Sequence, residues 1–118
     1  MACDRGLFIT GTDTGVGKTY VAAMIARQLA AEGRRVGVYK PTASGCRPEG
    51  DQLISDDALE LWQSAGRPGS LEQVCPQRFL APLAPPVAAQ AEGRQVDACL
   101  LRSGLTYWLE RSEVVLVE

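Results

Sequence analysis

Lys18 and Thr19 close a run of small and hydroxyl-bearing residues, Gly11-Thr12-Asp13-Thr14-Gly15-Val16-Gly17-Lys18-Thr19. Glycines in such a run let successive backbone N–H groups close around an anion. A lysine at its end reaches the outer phosphates of a nucleoside triphosphate, and the following hydroxyl suits Mg²⁺. The strict pattern G-x4-G-K-[ST] is missed by one place, because Thr12 occupies the first glycine position and Gly11 lies one residue earlier. Context therefore decides between a phosphate loop and an ordinary glycine-rich turn with a solvated lysine. The apolar run Leu7–Ile9 reads as a buried strand, and a helix-forming run begins at Tyr20. Strand, loop and helix in that order set a helix N-terminus, with its partial positive charge, beneath the phosphates. The context favours phosphate binding.

Three more places carry groups suited to the same chemistry. Lys40 follows the apolar run Val36–Tyr39, and Glu118 follows Val114–Val117. Both sit at the carboxyl ends of expected parallel strands, the edge where ligands bind in open α/β sheets. A strand-terminal acid beside a phosphate loop holds Mg²⁺ directly or through water. A second lysine there could hold an anionic phosphoryl acceptor in line, and Ser44 could orient it. Asp57, in the first turn of an expected helix, is either a partner for the helix dipole or a further Mg²⁺ ligand. Taken singly, a strand-end lysine or a terminal glutamate is a solvated residue. Their value lies in sharing an edge with the loop.

The elements that must position these groups follow from pattern. Tyr20–Glu32 is alanine-rich, has Val21, Ile25 and Leu29 at four-residue spacing, and is stopped by Gly33 at the C′ position. Val36–Tyr39 is the second strand, and Pro41 stops its pairing. Together with Leu7–Ile9 these form a right-handed βαβ unit. Residues 42–55 read as a polar loop, after which Ser55 caps a helix through Ser64 with acids in its first turn. Arg67-Pro68-Gly69 is a turn, Gln73–Leu80 contains a short strand, and the proline-rich stretch 81–86 is loop. Pro86 starts a helix through Ala91, which Gly93 ends. Asp97–Arg111 places Leu101, Leu105, Trp108 and Leu109 on one helical face despite Gly104. Trp62 and Trp108 read as core residues. Val114–Val117, apolar throughout, reads as a strand buried on both faces.

Composition narrows the chemistry. The 118 residues contain no histidine, which removes Ser-His-Asp and Cys-His nucleophiles and histidine-ligated metals. Cys3, Cys46, Cys75 and Cys99 are scattered, with no C-x-x-C pair, and read as reduced and incidental. A net charge of −2 with no basic run gives no support for a nucleic-acid or anionic-membrane partner. No apolar stretch approaches a bilayer span and no secretory core opens the chain, so a cytoplasmic protein is expected.

With these residues in place a resemblance becomes specific. Gly11–Thr19 resembles the phosphate loop of the dethiobiotin synthetase family. The family's later stretches appear in its order: Tyr39-Lys40-Pro41, Ala43-Ser44-Gly45, Asp57-Ala58-Leu59, Pro85 with Ala88-Ala89, Glu92-Gly93 and Val117-Glu118. The resemblance implies a P-loop NTPase-type three-layer α/β sandwich with a mainly parallel sheet, here one domain over residues 1–118. It implies an ATP-dependent cyclo-ligase that makes a cyclic urea from 7,8-diaminopelargonate and CO₂, through a carbamate and a carbamic–phosphoric anhydride. It further implies that Gly15, Val16, Gly17, Lys18, Thr19 and Tyr20 cradle the nucleotide and that Thr19, Asp57 and Glu118 surround Mg²⁺. Lys40 would contact carbamate and γ-phosphate, with Thr14 and Ser44 on the substrate. A homodimer is implied for the full-length enzyme.

Two features depart from the family. Pro86 stands where many relatives have histidine, and relatives continue past Glu118 into further strands and the purine pocket. The chain is therefore expected to be the N-terminal portion of a longer enzyme, with reduced activity and a tendency to associate when isolated. Two other classes share parts of the pattern. Regulatory ATPases of the partitioning or nitrogenase-iron-protein type carry a lysine early in the loop, where this chain has Asp13. Related amidoligases act with a glutaminase domain, of which this sequence shows no trace.

Overall fold

A computed structural model describes residues 5–9 and 17–118. Its elements are β1 (Arg5–Phe8), α1 (Lys18–Ala31), β2 (Val36–Tyr39), β3 (Thr42–Ala43), β4 (Arg47–Glu49) and β5 (Gln52–Ile54). These are followed by α2 (Asp56–Ser64), α3 (Leu71–Val74), β6 (Gln77–Arg78), α4 (Pro85–Ala91), α5 (Ala98–Arg111) and β7 (Val114–Val117). The main sheet is parallel with order β1-β7-β2, so the last strand lies between the first two. That place explains its composition. A central parallel strand meets layers on both faces, and Val114, Val115 and Leu116 are all buried.

Strand pleating separates the two layers. Gly37 faces Trp108 of α5, and the Tyr39 hydroxyl donates to the Leu101 carbonyl of the same helix at 2.7 Å. Alternation then turns Val36 and Val38 to the opposite face, where α1 and α2 pack together and reach β2. Arg27 ties those two helices by donating to Ser64 Oγ at 3.2 Å. The result is an α/β sandwich of helix, sheet and helix.

Several expected elements stand as read. The helix after the loop ends with Gly33 at φ 80°, donating to the Ala30 carbonyl at 3.0 Å. Ser55 caps α2 by accepting from the Ala58 N–H at 3.2 Å, Asp97 caps α5 through the Leu100 N–H at 3.0 Å, and Trp108 is buried.

Others differ. The first strand spans Arg5–Phe8 rather than Leu7–Ile9, and it is not buried: Leu7 is 42% and Phe8 68% exposed. Among the described residues β1 pairs only with β7, which leaves its other edge bare. β1 and β2 are not adjacent, since β7 separates them. The polar stretch 42–55 is not a plain loop. It holds β3 and the antiparallel hairpin β4–β5, whose two- and three-residue strands are too short to show a period. Pro41 ends pairing with β7 but not pairing altogether, because β3 at once takes β6 as a new parallel partner. The short strand expected within 73–80 is β6, preceded by α3, whose start is set by a Ser70–Gln73 capping box. The helix expected from Pro86 begins one residue earlier, at Pro85, and accommodates both prolines in its first turn. On α1 the fully buried residues are Ala22, Ala23 and Ala26, while Val21 is 47% exposed and Ile25 and Leu29 sit at the core's border. Small side chains there let α2 approach closely.

Candidate active site

Register creates the site's first contact. Tyr39 of β2 pairs with Val117 of β7, and the Glu118 N–H donates to the Tyr39 carbonyl at 2.9 Å. The residues one step beyond, Lys40 and Glu118, therefore leave the sheet side by side. Lys40 Nζ lies 3.6 Å from Glu118 Oε1. Lys40 is itself anchored, its N–H donating to the Val74 carbonyl at the end of α3 at 2.9 Å.

The phosphate-loop side supplies the second contact. Lys18 is the first residue of α1 and Thr19 the second. Thr19 Oγ1 donates to Glu118 Oε1 at 2.7 Å. One carboxylate oxygen thus meets residues from two distant segments. The carboxylate is deeply placed, with 4% of the Glu118 side chain exposed against 18% for Lys40. A buried carboxylate keeps its charge only with compensation. At an effective dielectric of about 20 the lysine supplies about 4 kcal/mol, much of it offset by desolvation. The other oxygen, Oε2, is buried and has no hydrogen-bond partner among the described residues.

Lys18, Lys40, Ser44, Asp57 and Glu118 line one pocket of about 340 Å³, walled further by Thr42, Ala43, Ser55 and Pro85. Five candidates named from sequence therefore share a single cavity. Asp57 enters from the first turn of α2. Tyr20 does not join them: its side chain is 65% exposed on α1 and lines no part of the pocket. Gly17 is the residue before α1. Thr14, Gly15 and Val16 lie outside the described residues. The walls Thr42, Ser55 and Pro85 were not named as site residues. Ser55 was legible only as a cap. Thr42 is placed by the pairing of β3 with β6, a contact with no local signal.

The donor set suits a hard, oxygen-seeking cation. Two carboxylates share the pocket, one with a bare buried oxygen, and the Thr19 hydroxyl bonds the Glu118 carboxylate; these are ligand types Mg²⁺ accepts. Among the described residues no cluster of three or more His, Cys, Asp or Glu stands ready for a metal.

The buried thiols beside the site are not its chemistry. Burial pushes Cys75 up to about 12, helped by nearby Cys46. Burial likewise raises Cys46, against the pull of a backbone hydrogen bond with Phe79 and of Arg78 and Lys40. Both remain protonated and unreactive at neutral pH. Burial also raises the Tyr39 phenol.

The chain has relatives by sequence. The family model described as AAA domain matches residues 5–118. The chain belongs to that family. The chain is 53% identical over 94% of its length to the ATP-dependent dethiobiotin synthetase BioD of Rhodopirellula baltica. It is 46% identical over 97% of its length to the protein of that name from Anaeromyxobacter sp., and 40% over 94% to that from Aliivibrio fischeri. The chain spans about half the length of these curated relatives, 44% of the first and 49% of each of the others. No helix among the described residues is long and apolar enough to cross a membrane.

Proposed function

We propose that the whole protein is an ATP-dependent cyclo-ligase that closes the ureido ring of dethiobiotin from 7,8-diaminopelargonate and CO₂. The observation that supports it most is the meeting of Thr19 and Lys40 on the buried Glu118 carboxylate, in the pocket that Lys18 also lines. Phosphoryl transfer needs the donor and acceptor held in line and their charge neutralised. One lysine at the head of α1 serves the nucleotide phosphates. A second, across the pocket, serves an acceptor that must itself be anionic.

In this reading one amine of the substrate takes up CO₂ to give a carbamate. Lys40 holds a carbamate oxygen against the γ-phosphoryl group, which the carbamate oxygen receives as ADP leaves. The second amine then attacks the carbamoyl carbon of the carbamic–phosphoric anhydride, closing the ring and releasing phosphate. Ser44 orients the amine end of the substrate. Thr14, with Gly15 and Val16 of the loop, completes the substrate and phosphate contacts, and Gly17 and Tyr20 contribute backbone N–H groups. Mg²⁺ held by Thr19, Asp57 and Glu118 would supply charge neutralisation on the phosphates. A cytoplasmic homodimer belongs to the same proposal, on the strength of the resemblance.

The test is ADP release by the full-length protein, which is expected to require both the diamine and bicarbonate. Release stimulated by glutamine or by a protein partner, and indifferent to the diamine, would contradict the proposal.

A further inference from the structure

Glu92 and Gly93 follow α4 and line no part of the pocket that Lys18 and Lys40 share, and nothing in the phosphoryl chemistry uses them. Yet the Glu92 side chain is three-quarters buried, with 25% exposed. Its Oε2 accepts from two consecutive backbone N–H groups, Leu80 at 2.8 Å and Ala81 at 3.4 Å. Its Oε1 lies 3.7 Å from Arg94. Arg94 in turn lies over the Phe79 ring at 4.7 Å and donates to the Arg78 carbonyl at 3.3 Å. The two residues grip the chain at 78–81 from both sides.

That gripped segment holds the pocket wall. The Phe79 N–H donates to the Ala43 carbonyl at 2.8 Å, the Cys46 N–H to the Phe79 carbonyl at 3.0 Å, and the Gly45 N–H to the Ala81 carbonyl at 3.0 Å. Ser44 lies between residues tied down on both sides, and every tie ends on the segment that Glu92 and Arg94 hold. The loop from Leu80 also leads to Pro85, a second wall of the same pocket. Glu92 therefore closes the loop 80–91 onto itself, with one end of α4 at the pocket and the other at the carboxylate.

We infer that Glu92 is a positioning residue for substrate selection: it fixes residues 78–81, and through them Ser44 and Pro85, at the distance the amine substrate requires. It touches neither nucleotide nor substrate. A carboxylate suits this task because charge-assisted acceptance from two adjacent N–H groups is stronger than any neutral alternative. The α1 side of the pocket, with Lys18 and Thr19, does not pass through it. Its loss should therefore act on the amine and spare the nucleotide. The inference rests on the amine-binding role proposed for Ser44.

The experiment measures separate KM values for ATP and for the diamine in the full-length protein carrying Glu92→Ala or Glu92→Gln. Glu92→Ala is expected to raise the diamine KM at least tenfold while leaving that for ATP within twofold. Glu92→Gln, which keeps an acceptor oxygen, should recover most of the loss. A diamine KM within twofold of the parent in Glu92→Ala, or a rise shared equally by ATP, would overturn the inference. If Glu92→Ala does not fold, amide hydrogen exchange in Glu92→Asp, whose side chain is one methylene too short to reach the Leu80 and Ala81 N–H groups, decides. Faster exchange at Gly45 and Cys46 supports the coupling, and unchanged rates refute it. A parent protein without diamine-dependent ADP release would instead overturn the functional proposal, and the exchange measurement would still judge the coupling.

Discussion

Gly104 lies in the middle of α5, where alanine normally stabilises a helix by about 1 kcal/mol over glycine. Here the sign should reverse. A Cβ added at Gly104 would lie 2.9 Å from Cζ and 3.0 Å from Cε1 of Tyr39, and closer still to the hydroxyl. Tyr39 is 1% exposed and has nowhere to retreat. Its hydroxyl also donates to the Leu101 carbonyl one turn earlier, at 2.7 Å. Overpacking of this kind costs about 1–3 kcal/mol, and displacing the ring forfeits a hydrogen bond worth about 1 kcal/mol. Set against the helical gain, Gly104→Ala should destabilise the protein by about 1–3 kcal/mol. Urea denaturation of the parent, Gly104→Ala, Tyr39→Phe and the double variant would measure it. The double variant should lose less than the sum of the two singles, because removing the hydroxyl relieves the tightest contact. A more stable Gly104→Ala, by the amount helix propensity alone predicts, would refute this account of the α5–β2 seam. The seam matters to the site because Lys40 is the next residue after Tyr39.

Two further outcomes are expected. Gln77, 3% exposed, accepts from the Asp97 N–H at 2.7 Å and donates to the Asp97 carbonyl at 2.9 Å, pinning the start of α5. Gln77→Leu removes both of these part-buried hydrogen bonds, so a loss of about 1–2 kcal/mol is expected in chemical denaturation, and an unchanged midpoint would contradict it. Cys75 is raised from 9.0 to about 12 in the folded chain, so its contribution is full below the unfolded value and is lost as pH rises through that window. This destabilises the protein by up to about 4 kcal/mol in alkali. Denaturation at about pH 8 and about pH 10 should show a smaller alkaline loss in Cys75→Ala than in the parent, and equal losses would rule this out.

The sequence was most informative where one element states its own environment. Four apolar residues followed by a single charge announce both a buried parallel strand and a ligand-edge group, which is why Lys40 and Glu118 could be placed together before their register was known. Helix starts at Ser55 and Asp97 were equally legible, because a cap is a local hydrogen bond. What could not be read was long-range and short-stranded. The pairing of Thr42–Ala43 with Gln77–Arg78 sets Thr42 and Ala43 in the pocket wall, yet two residues carry no period. Gly104 looked like a weakness in a helix because its reason, the Tyr39 ring, lies on another element. The exposure of β1 was missed for the same cause: an apolar run reports what a strand is suited to contact, and among the described residues only β7 is paired with it.

The central claim is that Lys40 serves the phosphoryl acceptor while Lys18 and Thr19 serve the nucleotide. Lys40→Gln in the full-length protein tests it, with ADP release measured in the presence of diamine and bicarbonate and ATP affinity measured by calorimetry. Turnover is expected to fall nearly to nothing, by about 10²-fold or more, with ATP affinity close to that of the parent. Turnover retained at the parent rate, or lost only in step with ATP binding, would contradict the claim.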